Sequence, residues 1–367
     1  MQKKNGKILI AAGGTGGHMF PAQALAEQLQ RTRPHLELHF AGAGLSTNRY
    51  FHKEKFSHRD IPSATPRSLK TLFKALITLF QGIRQSLKLV KEVRPDLIVG
   101  FGSFHAFPVL AAGVLARIPI VLFESNAIPG KVNRIFSRFA LFNAVQFWDA
   151  SHRLKGETIE VSLPIFAHLT QKEPTREEAH RYYQLDPALF TILVFGGSQG
   201  ALALNHSVCQ AMAHLKSANR QFQILHFAGA KDDLGLIQQN YQKASIPAVV
   251  KAFETHMAFA WKAADFVICR SGAATIAEQV HYEVPALFIP FPSAADNHQQ
   301  KNAETMEKLG AATCLPEKML TSQRLYEELQ YIFEQGRLEK MRISLSQFKQ
   351  KQKKSDLINI LLHRFFS

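Results

Sequence analysis

Twice in this chain an apolar run ends in a cluster of glycines that opens a helical pattern. Ile8-Leu9-Ile10-Ala11-Ala12 passes into Gly13-Gly14-Thr15-Gly16-Gly17-His18, and Thr191–Phe195 passes into Gly196-Gly197-Ser198-Gln199-Gly200-Ala201. Glycines at a strand-to-helix turn let the backbone approach a ligand, and the helix start behind them offers unpaired N–H groups that suit phosphates. Further strand-length runs at 36–41, 96–100, 120–124, 223–228, 266–269 and 286–290 alternate with helical patterns. Such alternation predicts parallel sheets with helical crossovers. At 367 residues the chain exceeds what one core holds. A polar break near 157–178, with Pro164 and Pro174, divides it. The expectation is α/β throughout: domains at 1–160 and 161–345, facing one another across a cleft, with a terminal helix over 346–367 packing back on the first.

The formal charge of +15 is unequally shared, with 22 Lys and Arg against 10 Asp and Glu in residues 1–160, and 22 against 19 in the remainder. The asymmetry implies that the first domain is to face an anionic partner, whether phospholipid, nucleic acid or a phosphorylated substrate, and charge alone does not choose among them. Between Asp60 and Glu92 there is no acidic residue. There Leu69, Leu72, Phe73, Leu76, Phe80, Ile83, Leu87 and Val90 recur at helical spacing beside Lys70, Lys74, Arg84, Lys88 and Lys91. Two readings stand level: a helix lying in an anionic bilayer surface, and an amphipathic helix packed on a sheet with a solvated basic edge. No run of 18 apolar residues occurs, so membrane contact is expected to be peripheral. A sequence pI near 9.7 invites nucleic acid, but no binding motif or interleaved stacking aromatic accompanies the basic residues. Cys209, Cys269 and Cys314 have no ligand spacing and read as reduced, buried thiols of a cytosolic protein.

Neither glycine cluster spells a dinucleotide fingerprint or a P-loop, and Phe40-Ala41-Gly42 lacks the acid that would hold a nicotinamide ribose. A dehydrogenase is disfavoured. Cys269-Arg270-Ser271-Gly272-Ala273-Ala274-Thr275 repeats the strand, small-residue turn and helix design, with Glu278 placed to accept two sugar hydroxyls. The loop Pro290–Ala303 gathers amides, an imidazole and a carboxylate suited to a hexose. His18 stands at the mouth of the first turn, and an imidazole there can take a proton from an attacking hydroxyl. There is no HExxH and no DxD, so neither a metal nor another cofactor is expected.

Gly13–His18 with Pro21, Gly100-Phe101-Gly102, Glu124-Ser125-Asn126 with Asn133, Gly196–Ala201, Ser271–Glu278 and Asp296–Asn302 together resemble the MurG family over residues 7–315. The resemblance implies a GT-B glycosyltransferase of two Rossmann-like domains, using UDP-GlcNAc as donor and lipid I as acceptor. It implies a peripheral protein at the cytoplasmic face of the bacterial inner membrane, alongside other cell-wall synthesis proteins. By similarity the donor meets Thr15, Gly16, Gly17, Asn126, Gly197, Ser198, Gln199, Gly200, Phe253, Glu254, Arg270, Ser271, Gly272, Ala274, Thr275, Glu278, His298 and Gln299. The acceptor meets Gly14, His18, Gly102, Asn126 and Asn133, with His18 as base. Leu69, Lys70, Leu72, Phe73, Lys74, Leu76 and Phe80 meet the membrane.

One departure is Ser162-Leu163-Pro164-Ile165-Phe166, where such proteins read Gly-Asn-Pro-Val-Arg; another is Ser125 in place of glutamine. Either another cation such as Arg270 replaces the linker arginine, or donor affinity falls. Three other readings remain open: a UDP-GlcNAc 2-epimerase, a transferase with a soluble acceptor, and a catalytically impaired membrane protein that binds nucleotide sugars.

Overall fold

A computed structural model describes residues 6–66, 69–164, 173–197, 200–218, 220–353 and 356–366. Two compact units divide the chain, one holding residues 1–170 and 352–367, the other 171–351.

The first unit runs β1 (Lys7–Ala11), α1 (Gly16–Thr32), β2 (Glu37–Gly42), β3 (Ser57–Asp60), α2 (Leu69–Val93), β4 (Leu97–Gly100), α3 (Phe107–Leu115), β5 (Ile120–Glu124), α4 (Lys131–Phe136), β6 (Phe142–Val145) and β7 (Thr158–Glu160). Its seven strands are all parallel, in the order β3-β2-β1-β4-β5-β6-β7. Ile8, Leu9, Ile10, Leu97, Ile98 and Val99 are fully buried, as the continuous apolar runs require of strands covered on both faces. Gly42 is fixed by packing: a Cβ there would lie 1.8 Å from the Ala12 carbonyl oxygen.

The second unit runs α5 (Arg176–Tyr183), β8 (Phe190–Phe195), α6 (Leu202–Ser217), β9 (Phe222–Phe227), α7 (Leu234–Lys243), β10 (Ala248–Lys251), α8 (Met257–Ala263), β11 (Phe266–Cys269), α9 (Ala273–Tyr282), β12 (Ala286–Phe288), α10 (His298–Lys308), β13 (Ala312–Cys314), α11 (Ser322–Ile332) and α12 (Arg337–Lys353). Its strands are also all parallel, in the order β10-β9-β8-β11-β12-β13. The core clusters Ile192, Val194, Leu204, Val208, Met212, Ile224 and Ile268 between sheet and helices. α5 begins with a full capping box, in which Thr175 and Glu178 satisfy each other's backbone N–H groups.

The last helix, α13 (Leu357–Phe365), belongs to the first unit. The Phe366 ring covers Gly6, Arg364 pairs with Glu157 at 2.7 Å, and Gln352 donates to the Gln146 carbonyl. Cys209 and Cys269 are buried thiols, whereas Cys314 is half-buried, contrary to expectation, because β13 lies at the sheet edge.

The basic helix α2 turns Ala75, Leu79, Leu89 and Val90 inward and packs on α3, with Gly82 against the Pro62 carbonyl. Its other face leaves Leu72, Phe73, Leu76, Ile77 and Phe80 exposed, Phe73 at 75% and Phe80 at 62%. The apolar stripe is thus split between two faces, with Val90 in the core. The side chains of Leu69 and Lys70, and the whole of Phe166, Ser198 and Gln199, lie outside the described residues. No helix of the described residues is long and apolar enough to cross a membrane.

Candidate active site

In a doubly wound sheet ligands bind beyond the strand C-termini where strand order reverses. In the first unit that point lies between β1 and β4, and both following loops are unusual. After β1, Gly14 takes φ +88° and Thr15 stands at the N-cap position of α1 without a side-chain capping bond, so Gly16, Gly17 and His18 form its first turn. A Cβ at Gly17 would meet nothing closer than the Thr15 hydroxyl at 3.7 Å, which leaves the helix start open to a ligand. His18 Nδ1 lies 3.4 Å from Thr15 Oγ1. After β4, Gly102 and Ser103 take φ +75° and +67°. Such values at a non-glycine residue cost strain that persists where the surroundings enforce it.

Glu124, at the end of β5, is buried and gathers four hydrogen bonds: from Asn126 N and Nδ2 at 3.0 and 3.1 Å, and from Gly130 N and Asn133 Nδ2 at 2.9 Å. Burial raises its carboxyl above the usual range against the pull of these donors. The Asn133 Oδ1 is buried, has no partner among the described residues, and faces Gly102. Thr15–His18 are thus brought together on one turn, and Asn126 and Asn133 on one carboxylate.

Sequence reasoning missed His105, whose side chain fills the space beside Gly13 and Gly14 while its ring bonds Ser103 Oγ at 2.8 Å. It also missed Asn48, whose amide holds the Gly14 carbonyl at 2.7 Å. With sixteen histidines and no local motif, only the fold singles these residues out.

In the second unit the switch point lies between β8 and β11. After β8, Gly197 (φ +88°) has no atom of the described residues within 4 Å of where its Cβ would stand, while Gly200 (φ +75°) is pressed on the Ala228 carbonyl, 2.4 Å from where its Cβ would be. After β11, Gly272 caps α9, with Ala274 and Thr275 half-buried in its first turn. Glu278 lies one turn further, half-buried, and accepts from the Trp261 indole at 2.9 Å. Burial raises its carboxyl to about 7.

Three expected donor contacts are committed elsewhere. The Ser271 hydroxyl, fully buried, donates to the Gln299 carbonyl at 2.8 Å. The Arg270 guanidinium is held by Glu317 and by the carbonyls of Ile289 and Pro290. Both Glu254 oxygens turn inward, to the His256 amide at 2.8 Å and to Tyr183 and Lys251 at 3.0 Å. Against burial, these partners hold its carboxyl below the usual range. Neighbouring Phe253 is exposed. His298 and Gln299 open α10, with Gln299 accepting the Phe291 amide and His298 Nδ1 lying 2.7 Å from the Ala295 carbonyl oxygen. Among the described residues no cluster of three His, Cys, Asp or Glu side chains is placed to hold a metal ion.

Two parallel sheets, each with a glycine-bearing loop at its switch point, are the architecture of the GT-B glycosyltransferases. The fold is that of Acinetobacter baumannii MurG, at TM-score 0.80 and 25% identity over 98% of this chain and 99% of that one. A UDP-glucose:anthocyanidin 3-O-glucosyltransferase solved with UDP shares the fold at TM-score 0.68 and 14% identity, over 99% of each chain. Residues 8–144 match the glycosyltransferase family 28 N-terminal domain and residues 191–359 the family 28 C-terminal domain. Over 97% of this chain and 95% of the relative, it is 38% identical to the UDP-N-acetylglucosamine--N-acetylmuramyl-(pentapeptide) pyrophosphoryl-undecaprenol N-acetylglucosamine transferase of Protochlamydia amoebophila. The protein of that name from Halothermothrix orenii is 33% identical over 97% of this chain and 98% of the relative. The chain belongs to glycosyltransferase family 28, and within it to the group of these N-acetylglucosamine transferases.

Proposed function

We propose that the protein transfers N-acetylglucosamine from UDP-GlcNAc to the 4-hydroxyl of the MurNAc residue of lipid I, forming lipid II for peptidoglycan. The observation that carries this reading is the near full-length likeness to transferases named for that donor and acceptor. The second unit takes the donor, its diphosphate at the starts of α6 and α9 and its ribose on Glu278. The open backbone at Gly197 and the helix dipoles support that placement. The first unit takes the acceptor pyrophosphate at the start of α1.

Transfer is a single in-line displacement with inversion. The acceptor oxygen bonds to the anomeric carbon as the bond to UDP breaks, the hydroxyl proton passes to His18, and helix-start amides offset the charge left on the diphosphate. Asn126 and Asn133, oriented by Glu124, position the acceptor sugar.

The exposed face of α2 docks the first unit on an anionic membrane surface. Burying Leu or Phe side chains such as Leu72, Phe73, Leu76 and Phe80 is worth about 1.5–3 kcal/mol each, and Lys74, Arg84 and Lys88 add attraction to acidic headgroups.

Incubation with labelled UDP-GlcNAc and a lipid I analogue, with EDTA present, tests the whole reading. Labelled lipid II is the expected product. Release of free GlcNAc, epimerised nucleotide sugar, or no turnover with chelator would each sink it.

A further inference from the structure

Behind the second glycine turn lies a buried relay of polar side chains. Asn205, in the first turn of α6, donates both amide hydrogens, to the Ala228 carbonyl at 2.8 Å and to Asp232 Oδ2 at 2.7 Å. Its Oδ1 therefore faces His226 and can only accept; flipping the amide would set oxygen against two oxygens. His226 Nε2, 3.0 Å away, must carry the hydrogen. In the neutral ring Nδ1 is then an acceptor, and the Tyr241 hydroxyl 2.9 Å away donates to it. Full burial keeps the imidazole neutral by lowering its pKa to about 4. His226 and Tyr241 are inaccessible to solvent, and the Tyr241 hydroxyl has the Cys209 thiol as its other partner, so the direction from Asn205 to the ring follows from the Asn205 amide.

The relay ends on the carbonyl that matters to the turn. Gly200 closes on the Ala228 oxygen, and the Gly200 amide in turn bonds the Gly197 carbonyl at 2.9 Å. We propose that His226 is a positioning residue for the donor diphosphate: through Asn205 it holds the Ala228 carbonyl in the orientation against which Gly200, just before α6, rests. This rests on the donor reading given above. A polar network that served only the core would lower stability without distinguishing one substrate from the other.

The test compares wild type with His226→Leu, His226→Gln and Tyr241→Phe by steady-state kinetics with each substrate varied, and by calorimetric titration with UDP. His226→Leu should raise KM for UDP-GlcNAc and the Kd for UDP about tenfold, with kcat and the acceptor KM changed by less than about twofold. Glutamine supplies one donor and one acceptor, so His226→Gln should recover most of the loss. Tyr241→Phe keeps the ring and removes the hydroxyl that bonds His226 and the Cys209 thiol, and should raise the donor KM about threefold. If His226→Leu does not fold, the other two variants decide. Donor KM unchanged in Tyr241→Phe, rescue absent in His226→Gln, or donor and acceptor KM rising together would overturn the proposal. Wild-type protein that fails to bind UDP would overturn the donor reading and this proposal with it. UDP binding unaltered in a folded His226→Leu overturns the proposal alone.

Discussion

The Trp261 indole N–H donates to Glu278 Oε2 at 2.9 Å, and the Trp261 ring stacks against Tyr282 with an interplanar angle of 4°. The carboxylate assigned to the ribose is thus steadied from behind by a buried aromatic.

That setting makes Glu278 a pH-dependent contact. Its carboxyl is raised by burial from 4.5 to about 7, so the folded protein holds a proton that the unfolded chain releases. Its stabilising contribution is full below pH 4.5 and lost as pH rises through 7. Thermal melts of Glu278→Gln should show a gain over wild type above pH 7 that vanishes below 4.5, on the order of 1–3 kcal/mol. Donor affinity should move oppositely, strengthening in wild type as the carboxylate ionises and staying weak and flat in Glu278→Gln.

His18→Ala should reduce turnover by about 10²–10⁴. UDP affinity, measured by calorimetry, should stay at the wild-type value. A rate within severalfold of wild type would remove His18 from the role of base.

The two positive-φ glycines of the donor turn separate strain from collision. Gly197→Ala meets no atom of the described residues and should cost the backbone penalty, about 1–2 kcal/mol. Gly200→Ala adds a collision with the Ala228 oxygen. Chemical denaturation should rank Gly200→Ala as the less stable, and UDP titration should find its binding lost.

Replacing Leu72, Phe73, Leu76 and Phe80 with serine should release the protein from vesicles containing acidic phospholipid without altering UDP-GlcNAc affinity. Raising salt from 0.1 to about 1 M should weaken the wild-type association, as the screening length falls from about 10 to 3 Å. Vesicle sedimentation measures both.

Legibility in the sequence followed burial. The central strands announced themselves because parallel strands covered on both faces read as continuous apolar runs, as at Ile8–Ala11 and Ile192–Phe195. Ser57–Asp60 carries no such run because it is an edge strand with largely exposed side chains. Phe142–Val145 is buried but interrupted by Asn143, whose amide nitrogen donates to the carbonyls of Lys155 and Glu157. The glycine turns were readable because their chemistry is local. The committed state of Arg270, Ser271 and Glu254 was not, since Glu317, Gln299 and Tyr183 reach them from 47, 28 and 71 residues away.

The seating of Phe366 over Gly6 gives the molecule a schedule. During synthesis the first unit waits for its final helix until the whole second unit has left the ribosome. A chain truncated after Lys351 and released should therefore carry a finished second unit beside an incomplete first one.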